Sequence, residues 1–448
     1  MTSSGPDDVP TWFLRLAAPF LAKPLAHIYN LSLNSGFLPK QWKSAVITPV
    51  GKIKNPEKES DFRPISVTSV LSRKLEQYVL NQFLYPVMHN SHSDISFSDQ
   101  YAFRPTGSTT AAIIAVMDKV TELLDTGEVV IMLTLDFSKA FDMVRHKTMF
   151  DKFSKLDIND KIYNWLTSYF EGRDHTTKFK GHISEKKTIN ASVVQGSTLG
   201  PYSYSVAASD LKPKNSGFYM FKFADDMDIV TTADKYYLVD NELEHIEKWA
   251  IDNNMILNKT KTKEIIFRRN RSRFSQVALT NGVQRTGSIK MLGVTFQDNL
   301  SVGEHVDATL AKCFNGLYAL NILRSQGLST ECLFQVFQAK ILSKLTYAAP
   351  AWWGFASVRD ITRINCFLKK AKKMKFYPLD GLTIEELWRQ SDDKLFKSIT
   401  TNDKHVLYKF LPEVKNTGHN LRKRVHPYNL PDKDDRNFFN RLLYLGIV

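Results

Sequence analysis

An uninterrupted apolar segment that ends in a carboxylate constrains the fold of this chain more than any other feature. Residues Val129–Leu135 are hydrophobic apart from one threonine, and Asp136 follows them directly. A short apolar run of this kind predicts a strand that is buried on both faces. The segment after Asp136 is compatible with a helix, so we expect this carboxylate to stand at the exposed end of the strand.

Two adjacent carboxylates occupy the tip of a predicted hairpin farther along the chain. Residues Phe218–Phe223 and Ile229–Thr232 have the patterns of two strands, and Asp225 and Asp226 lie between them. An Asp-Asp pair on its own is more often a solvated turn. If the hairpin lies beside the first strand, three carboxylates converge, and hard divalent cations offset their repulsion. We therefore predict a site for two Mg²⁺ ions, with Mn²⁺ as a substitute, suited to in-line displacement at phosphorus.

The remaining periodicity predicts an α+β chain in which a mixed core precedes a helical tail. Predicted helices lie within residues 11–45, where Gly36 and Pro39 close the segment, and at Ser69–Leu84, Thr109–Leu124, from Asp136 to about Phe170, Leu199–Leu211, Leu238–Asn253 and from Val302 past Leu345. Further strands are predicted at Val46–Val50, Lys178–Ile183, Lys186–Val194, Glu264–Phe267 and Ile289–Phe296. The polar and charged residues 51–63 predict a mobile basic loop.

The composition favours a globular protein with an anionic partner. Hydrophobic residues make up 43% of the chain, enough for a sizeable core. The chain has 60 Lys and Arg against 46 Asp and Glu, and a net charge of +14 points most simply to nucleic acid. Charge alone leaves other basic proteins open. The longest apolar runs fall far short of the roughly 18 residues of a membrane helix, so we expect no membrane partner.

Seven blocks of sequence, in order, resemble the motifs of the reverse transcriptases of non-LTR (LINE-type) retrotransposons. These blocks are Asp61–Ser66, Gln100–Ser108, Leu135–Asp142, Gln195–Pro201, Phe223–Asp226, Leu257–Thr262 and Met291–Val294. The similarity runs from about Leu14 to about Tyr347 and is closest to the jockey-like and chicken-repeat-like branches. It implies a right-hand polymerase with fingers, a palm containing an antiparallel sheet, and a thumb, followed by a helical C-terminal region.

The resemblance also implies a division of the chain into parts. We expect an N-terminal helical extension over residues 1–45, fingers and palm over 46–296, a helical thumb over 297–345 and a helical basic region over 346–448. The palm itself is expected mainly at 126–150 and 194–296. Members of this family usually carry an endonuclease domain ahead of the polymerase, and we expect this chain to lack it.

For the chemistry, the resemblance implies that Asp136, Asp225 and Asp226 are the catalytic metal ligands, with the backbone carbonyl of Phe137. Phe141 is expected to lie under the sugar, where its ring would exclude a 2′-hydroxyl. The alternative for Phe141 is an ordinary core aromatic.

The resemblance implies nucleotide and template contacts as well. Gln195 would hydrogen-bond the template or nucleotide, and Gly196 would allow close backbone approach. Charge-assisted hydrogen bonds to the triphosphate or template backbone are expected from Arg63, Lys74 and Arg104, although each is open to being a solvated surface cation. Lys261 could protonate the leaving pyrophosphate, but its neighbouring lysines leave that assignment open.

Basic and aromatic clusters in the tail offer further contacts with nucleic acid. Lys369–Lys375 and Arg422–Arg424 are candidates for phosphate binding or for solvated helix faces. Ala351–Phe355 could stack on bases, although packing at a domain junction is favoured.

Together these features predict an RNA-directed DNA polymerase, a nucleotidyltransferase of retrotransposon origin. Its partners would be an RNA template, a DNA primer and dNTPs, and we expect an intracellular, nuclear location. The alternatives are a catalytically silent nucleic-acid-binding remnant and a maturase-like RNA-binding protein.

Overall fold

The predicted apolar strand lies at the centre of a mostly antiparallel sheet in the computed structural model, which describes residues 5–89, 95–127, 129–138, 140–268, 279–414 and 426–445. The strands are β1 (Ser44–Gly51), β2 (Phe62–Val67), β3 (Val129–Leu135), β4 (Phe137–Ser138), β5 (Arg173–Phe179), β6 (His182–Ile183), β7 (Lys187–Ile189), β8 (Tyr219–Phe223), β9 (Asp226–Thr232), β10 (Ile256–Leu257), β11 (Lys263–Arg268), β12 (Gln284–Arg285), β13 (Ser288–Met291) and β14 (Val294–Gln297). The central sheet has the order β12-β11-β3-β9-β8, and we call it the palm sheet.

Helices surround this sheet and make up most of the chain after β14. They are α1 (Thr11–Ser35), α2 (Val70–Val79), α3 (Tyr85–Val87), α4 (Thr109–Thr126), α5 (Ala140–Met143), α6 (His146–Phe153), α7 (Asp160–Phe170), α8 (Gly200–Ala207), α9 (Val239–Asp252), α10 (Gly303–Ser325), α11 (Thr330–Phe337), α12 (Ser343–Leu345), α13 (Ala349–Trp352), α14 (Val358–Lys373), α15 (Ile384–Thr400) and α16 (Phe438–Leu443). Short π-helical segments at Leu80–Leu84 and Gln338–Leu342 continue α2 and α11. No helix in the described ranges is long and apolar enough to cross a membrane.

Strand β3 is buried on both faces, as its composition predicts. Val130 and Met132 belong to a hydrophobic cluster with α4, whereas Leu133 and Leu135 belong to a second cluster with α8 and α9. Successive side chains of a strand point to opposite faces, so this run of apolar residues can fill two cores at once. Strand β9 pairs antiparallel with β3, and the predicted neighbourhood of strand and hairpin is confirmed.

The fingers contain more regular structure than the sequence suggests. The loop predicted over residues 51–63 is too long, because Phe62 and Arg63 already belong to β2 and pair with β1. Just before β2, the carboxylate of Asp61 accepts hydrogen bonds from the backbone N–H groups of Glu57 and Lys58, each 3.0 Å long. These bonds give the end of the loop a defined turn.

Two further predictions about local structure are wrong. The helix expected directly after Asp136 is preceded by β4, which pairs with β10 before α5 begins. The strand predicted at Ile289–Phe296 is a hairpin, with Leu292 and Gly293 at its turn, where their φ angles are 46° and 95°. Positive φ at both central residues suits the twist of a two-residue hairpin, and an apolar Leu hides this turn from sequence patterns.

The thumb and the C-terminal region share a core with the palm instead of forming a separate appendage. One hydrophobic cluster runs from α4 and the palm sheet through α10 to α16. Polar contacts reinforce it, since the side chain of Asn437 donates to Asp118 of α4 at 3.0 Å and the N–H of Val406 donates to Thr106 at 3.0 Å. Helix α1 ends at Gly36 in the left-handed conformation, as predicted.

Candidate active site

The acidic tip of the palm sheet is a two-residue turn between β8 and β9. Phe223 pairs with Asp226 across the hairpin, so Ala224 and Asp225 form the turn. Ala224 has a φ of 60°, a conformation that is costly for a residue with a Cβ atom. Its N–H donates to the Oε1 atom of buried Gln100 at 3.2 Å, which fixes the turn from below.

The strand register brings the third carboxylate to the same edge. Leu135 is paired with Met227, so Asp136, the next residue of the chain, continues beside Asp226 at the start of β9. Burial raises the pKa of Asp225, and Asp136 raises it further, while Arg63 lowers it. Burial, with Asp225 and Asp136, also raises the pKa of Asp226 to about 6. The charges of Asp225 and Asp226 therefore interact with each other and with that of Asp136, and both Asp225 and Asp226 ionise less readily than a free aspartate.

The donor chemistry of this edge fits a hard divalent cation. All three side chains offer carboxylate oxygens, and positive charge would relieve their repulsion. Among the residues that the structure describes, however, no group of three or more acidic, histidine or cysteine side chains is positioned to hold a metal ion. Phe137, whose carbonyl is the fourth predicted donor, lies in β4 opposite Leu257. The metal ligands therefore stay a prediction based on donor type and proximity.

Lys261, the predicted general acid, faces the acidic edge. Its Nζ atom lies 3.7 Å from the Oδ2 atom of Asp136. Lys259 pairs instead with Glu247 at 2.7 Å. The backbone N–H of Asn258 donates to the carbonyl of Asp136 at 2.8 Å, which holds this segment against the end of β3.

The three predicted phosphate-binding cations occupy different environments. Arg63 is exposed on β2 and close enough to Asp225 to lower its pKa. Lys74 is exposed on α2 and donates to Gln77 at 3.2 Å, and its contacts among the described residues do not reach the acidic edge. Arg104 donates to the carbonyls of Phe97 and Gln100, so its guanidinium braces the loop that supports the acidic turn. Contact with a triphosphate stays a prediction for all three.

The predicted sugar-contacting ring lies in a cluster of aromatic side chains. Phe141 is stacked on Tyr204, with 4.3 Å between ring centroids and 21° between ring planes. Phe103 meets it edge-on at 6.3 Å. Phe141 is half-buried, whereas Tyr204 is fully buried, and burial with Asp225 and Asp226 raises the pKa of the Tyr204 hydroxyl. The aromatic cluster therefore adjoins the acidic edge.

Gln195 and Gly196 join the palm to the fingers. The Gln195 side chain donates to Asp142 at 2.6 Å, and the backbone carbonyl of Gln195 accepts from the N–H of Ser66 at 2.7 Å. Gly196 has a φ of 120°, and a Cβ atom there would lie 2.2 Å from the carbonyl oxygen of Ser66. The close backbone approach predicted for this glycine is thus made to strand β2, while contact with a base pair stays a prediction.

Three residues with a part in this geometry escaped the sequence prediction as site residues. Gln100 fixes the acidic turn, Asp142 orients Gln195, and Tyr204 supports Phe141. Gln100 and Asp142 lie inside predicted motifs, so their position in a motif could have drawn attention to them. Tyr204 lies in a helix without any such signal, because its partner is distant in the chain.

In the tail, the segment Ala351–Phe355 is buried or half-buried, whereas the lysines at 369, 370, 373 and 375 are exposed. Trp352 is buried, and the Trp353 indole donates to Asp392 at 2.8 Å, so the packing alternative holds for this pair. Lys370 lies over the ring of Phe314 at 5.3 Å. Lys139 of the third motif block and the cluster Arg422–Arg424 lie outside the described residues.

Comparison with known proteins identifies the family of this chain. A family model described as reverse transcriptase (RNA-dependent DNA polymerase) matches residues 53–296. A probable RNA-directed DNA polymerase from transposon BS of Drosophila melanogaster is 28% identical over 371 residues, covering 78% of this chain and 40% of that protein. The RNA-directed DNA polymerase from mobile element jockey of Drosophila melanogaster is 26% identical over 366 residues, covering 77% and 39%.

The chain spans about two-fifths of the length of these curated relatives. A solved structure of telomerase from Candida tropicalis is 14% identical, covers 86% of this chain and 67% of that chain, and has a TM-score of 0.43. A structural likeness at that level carries no argument about function.

Proposed function

The chain belongs to the reverse transcriptase (RNA-dependent DNA polymerase) family, and from this premise we propose that it is an RNA-directed DNA polymerase of retrotransposon origin. It would join dNTPs to a DNA 3′-hydroxyl along an RNA template. The observation that carries the proposal is the convergence of Asp136, Asp225 and Asp226, whose charges interact at one edge of the palm sheet. Evolution tolerates such repulsion mainly at functional sites.

The carboxylates would hold two Mg²⁺ ions. These ions would lower the pKa of the attacking hydroxyl and neutralise the charge of the leaving pyrophosphate. Asp136 and Asp225 would be the main ligands, with Asp226 assisting them. The strained turn at Ala224 and the Gln100 contact favour a fixed position for Asp225 before substrate arrives. Lys261, whose Nζ atom lies 3.7 Å from Asp136, would give a proton to the leaving group.

Arg63 would bind the triphosphate. Of the three predicted phosphate-binding cations, Arg63 is the one whose charge lowers the pKa of Asp225 at the acidic edge. Guanidinium groups bind phosphate through charge-assisted hydrogen bonds that are about twice as strong as neutral ones. Gln195, oriented by Asp142, would contact the template or nucleotide from the opposite side of the finger junction.

A primer-extension assay tests the proposal. The protein is incubated with poly(rA)/oligo(dT), dTTP and Mg²⁺, and we expect incorporation of dTMP by the native sequence. Asp225→Asn should lower the rate by a factor of about a thousand or more, because it removes a metal ligand with little change in shape. RNA affinity, measured by fluorescence anisotropy in the same buffer, should be retained.

Asp234→Asn is a matched control, since Asp234 is an exposed carboxylate in the turn after β9. It should incorporate dTMP at the native rate. Absence of dTMP incorporation by the native protein, with intact RNA binding, would favour a silent nucleic-acid-binding remnant or a maturase-like role. Normal synthesis by Asp225→Asn would overturn the assignment of the metal ligands.

A further inference from the structure

We propose that Tyr204 is a specificity-determining positioning residue, the rigid floor that holds the ring of Phe141 in place to exclude ribonucleotides. The inference rests on the proposed polymerase function and deepens it, because it concerns the choice between dNTP and NTP. Tyr204 itself would not touch the nucleotide. It would act through the ring that does.

The geometry around Phe141 leaves its ring few ways to move. The Tyr204 ring lies parallel to it at 4.3 Å, and the Phe103 ring closes a second side edge-on at 6.3 Å. The Phe141 carbonyl also accepts a hydrogen bond from the N–H of Val193 at 2.7 Å, which fixes the backbone below the ring. Offset-stacked and edge-on contacts are the favoured arrangements of aromatic pairs.

The Tyr204 ring has little room to move, because buried side chains of the core surround it. It has 0% exposure and lies in α8, within the same hydrophobic cluster as Val193 and Leu199. Protein interiors are close-packed, so a fully buried ring moves only if its neighbours move as well. A half-buried Phe141 stacked on it is therefore held from the side of the core.

Stacking, and not the hydroxyl group, holds Tyr204 in position. Among the described residues the Tyr204 hydroxyl has no hydrogen-bond partner, although it is buried. Its removal therefore should leave the ring where it is. The hydroxyl and the ring can thus be tested separately, which gives the inference a sharp control.

Steric exclusion of a ribose 2′-hydroxyl requires that the Phe141 ring stay in place when the hydroxyl contacts it. If Tyr204 is replaced by a smaller side chain, the Phe141 ring can retreat into the vacated space when a ribose 2′-hydroxyl presses on it. Phe141→Ala itself should admit ribonucleotides, because the excluding ring is gone. The smaller side chain at residue 204 should have the same effect in part, even though Phe141 is unchanged. A residue with a merely structural role would lower stability or overall rate without changing this selectivity.

The test compares kcat/KM for dTTP and UTP in primer extension on poly(rA)/oligo(dT). Tyr204→Leu should lower the preference for dTTP by about tenfold or more, within the range of single steric contacts in a pocket. Tyr204→Phe should keep the native preference. If Tyr204→Leu does not fold, Tyr204→Met serves instead, since its flexible chain fills the space without offering a flat floor.

Tyr202→Leu is the matched control for a buried tyrosine in the same helix. Tyr202 is 1% exposed, donates to the carbonyl of Leu84 at 3.3 Å and packs on Tyr85 and Phe97, away from Phe141. Its loss should reduce stability but not the dTTP preference. In a Phe141→Ala background, Tyr204→Leu should add no further loss of preference, because the ring it supports is gone.

Unchanged preference in Tyr204→Leu, or equal loss in Tyr202→Leu, would overturn the inference while leaving the polymerase proposal intact. If the native protein incorporates neither nucleotide, the proposed function fails, and the inference is then decided without catalysis. In that case the unfolding free energies of Phe141→Ala, Tyr204→Leu and the double variant are compared. Non-additive losses support a ring held by its floor, and additive losses overturn it.

Discussion

Two carboxylates with similarly raised pKa values show how differently this chain treats acidic residues. Burial raises the pKa of both Asp226, in the palm, and Asp392, in α15, to about 6. At Asp226 the neighbouring charges of Asp225 and Asp136 contribute to this rise, whereas at Asp392 the Arg441 guanidinium opposes the effect of burial. Arg441 lies 3.0 Å from Asp392 and is itself buried.

The difference separates a structural carboxylate from a candidate catalytic one. The partners of Asp392 come from the protein, namely Arg441 and the Trp353 indole, which both donate to its Oδ2 atom, so the folded chain itself supplies a counter-charge. At the acidic edge, the neighbouring charges of Asp226 are the carboxylates of Asp225 and Asp136, and a cation bound from solution would reduce their repulsion. A raised pKa alone does not identify a site, but the sign of the neighbouring charges does.

The largest effect expected from this comparison is on stability. Asp392→Ala should lower the free energy of unfolding by about 3–5 kcal/mol, because it leaves Arg441 buried without its counter-charge. Asp225→Asn should leave the free energy of unfolding unchanged or raise it, because it removes repulsion. Urea denaturation of both variants at pH 7 measures the difference, and similar losses in the two would erase the distinction between the regions.

Magnesium should stabilise one region and not the other. At a Mg²⁺ concentration one hundred times the dissociation constant, binding to the folded state alone would add about 2.7 kcal/mol to the free energy of unfolding. Asp225→Asn should lose most of this gain, and Asp234→Asn should keep it. Thermal unfolding with Mg²⁺ and with EDTA measures the effect. An equal gain in Asp225→Asn would show that the ions bind elsewhere.

The smallest expected effect is a change in how stability depends on pH. Because the folded pKa of Asp392 lies near 6, above the ordinary value of 3.8, the folded state binds this proton more tightly than the unfolded chain. Its contribution is present below pH 3.8 and is lost as the pH rises through about 6.

Asp392→Asn should therefore flatten the fall in stability over this pH range, relative to the native chain. Asp226 titrates in the same direction and is retained in the variant, so only the difference between the two proteins reports on Asp392. Urea midpoints measured between pH 4 and 7 decide the matter. Parallel curves would assign the native slope to other groups.

Local patterns were enough to predict the elements around the candidate site. Val129–Leu135 forms the predicted strand, and Asp225 lies in the turn of the predicted hairpin, because apolar runs and alternation report directly on burial. Patterns failed where the turn residue was apolar, as at Leu292, and where a two-residue strand, Phe137–Ser138, depends on a distant partner. Such pairings leave no local signal.

Sequence alone determined which residues are the candidates for the chemistry and which strands bear them, since both follow from residue type and short-range periodicity. Tertiary structure alone decided that Tyr204 lies under Phe141, that Gln100 fixes the turn at Ala224, and that α16 packs into the core of α4. The physical reason is that these contacts join segments far apart in the chain. Such contacts depend on how whole elements pack, and packing is not encoded in any short window of residues.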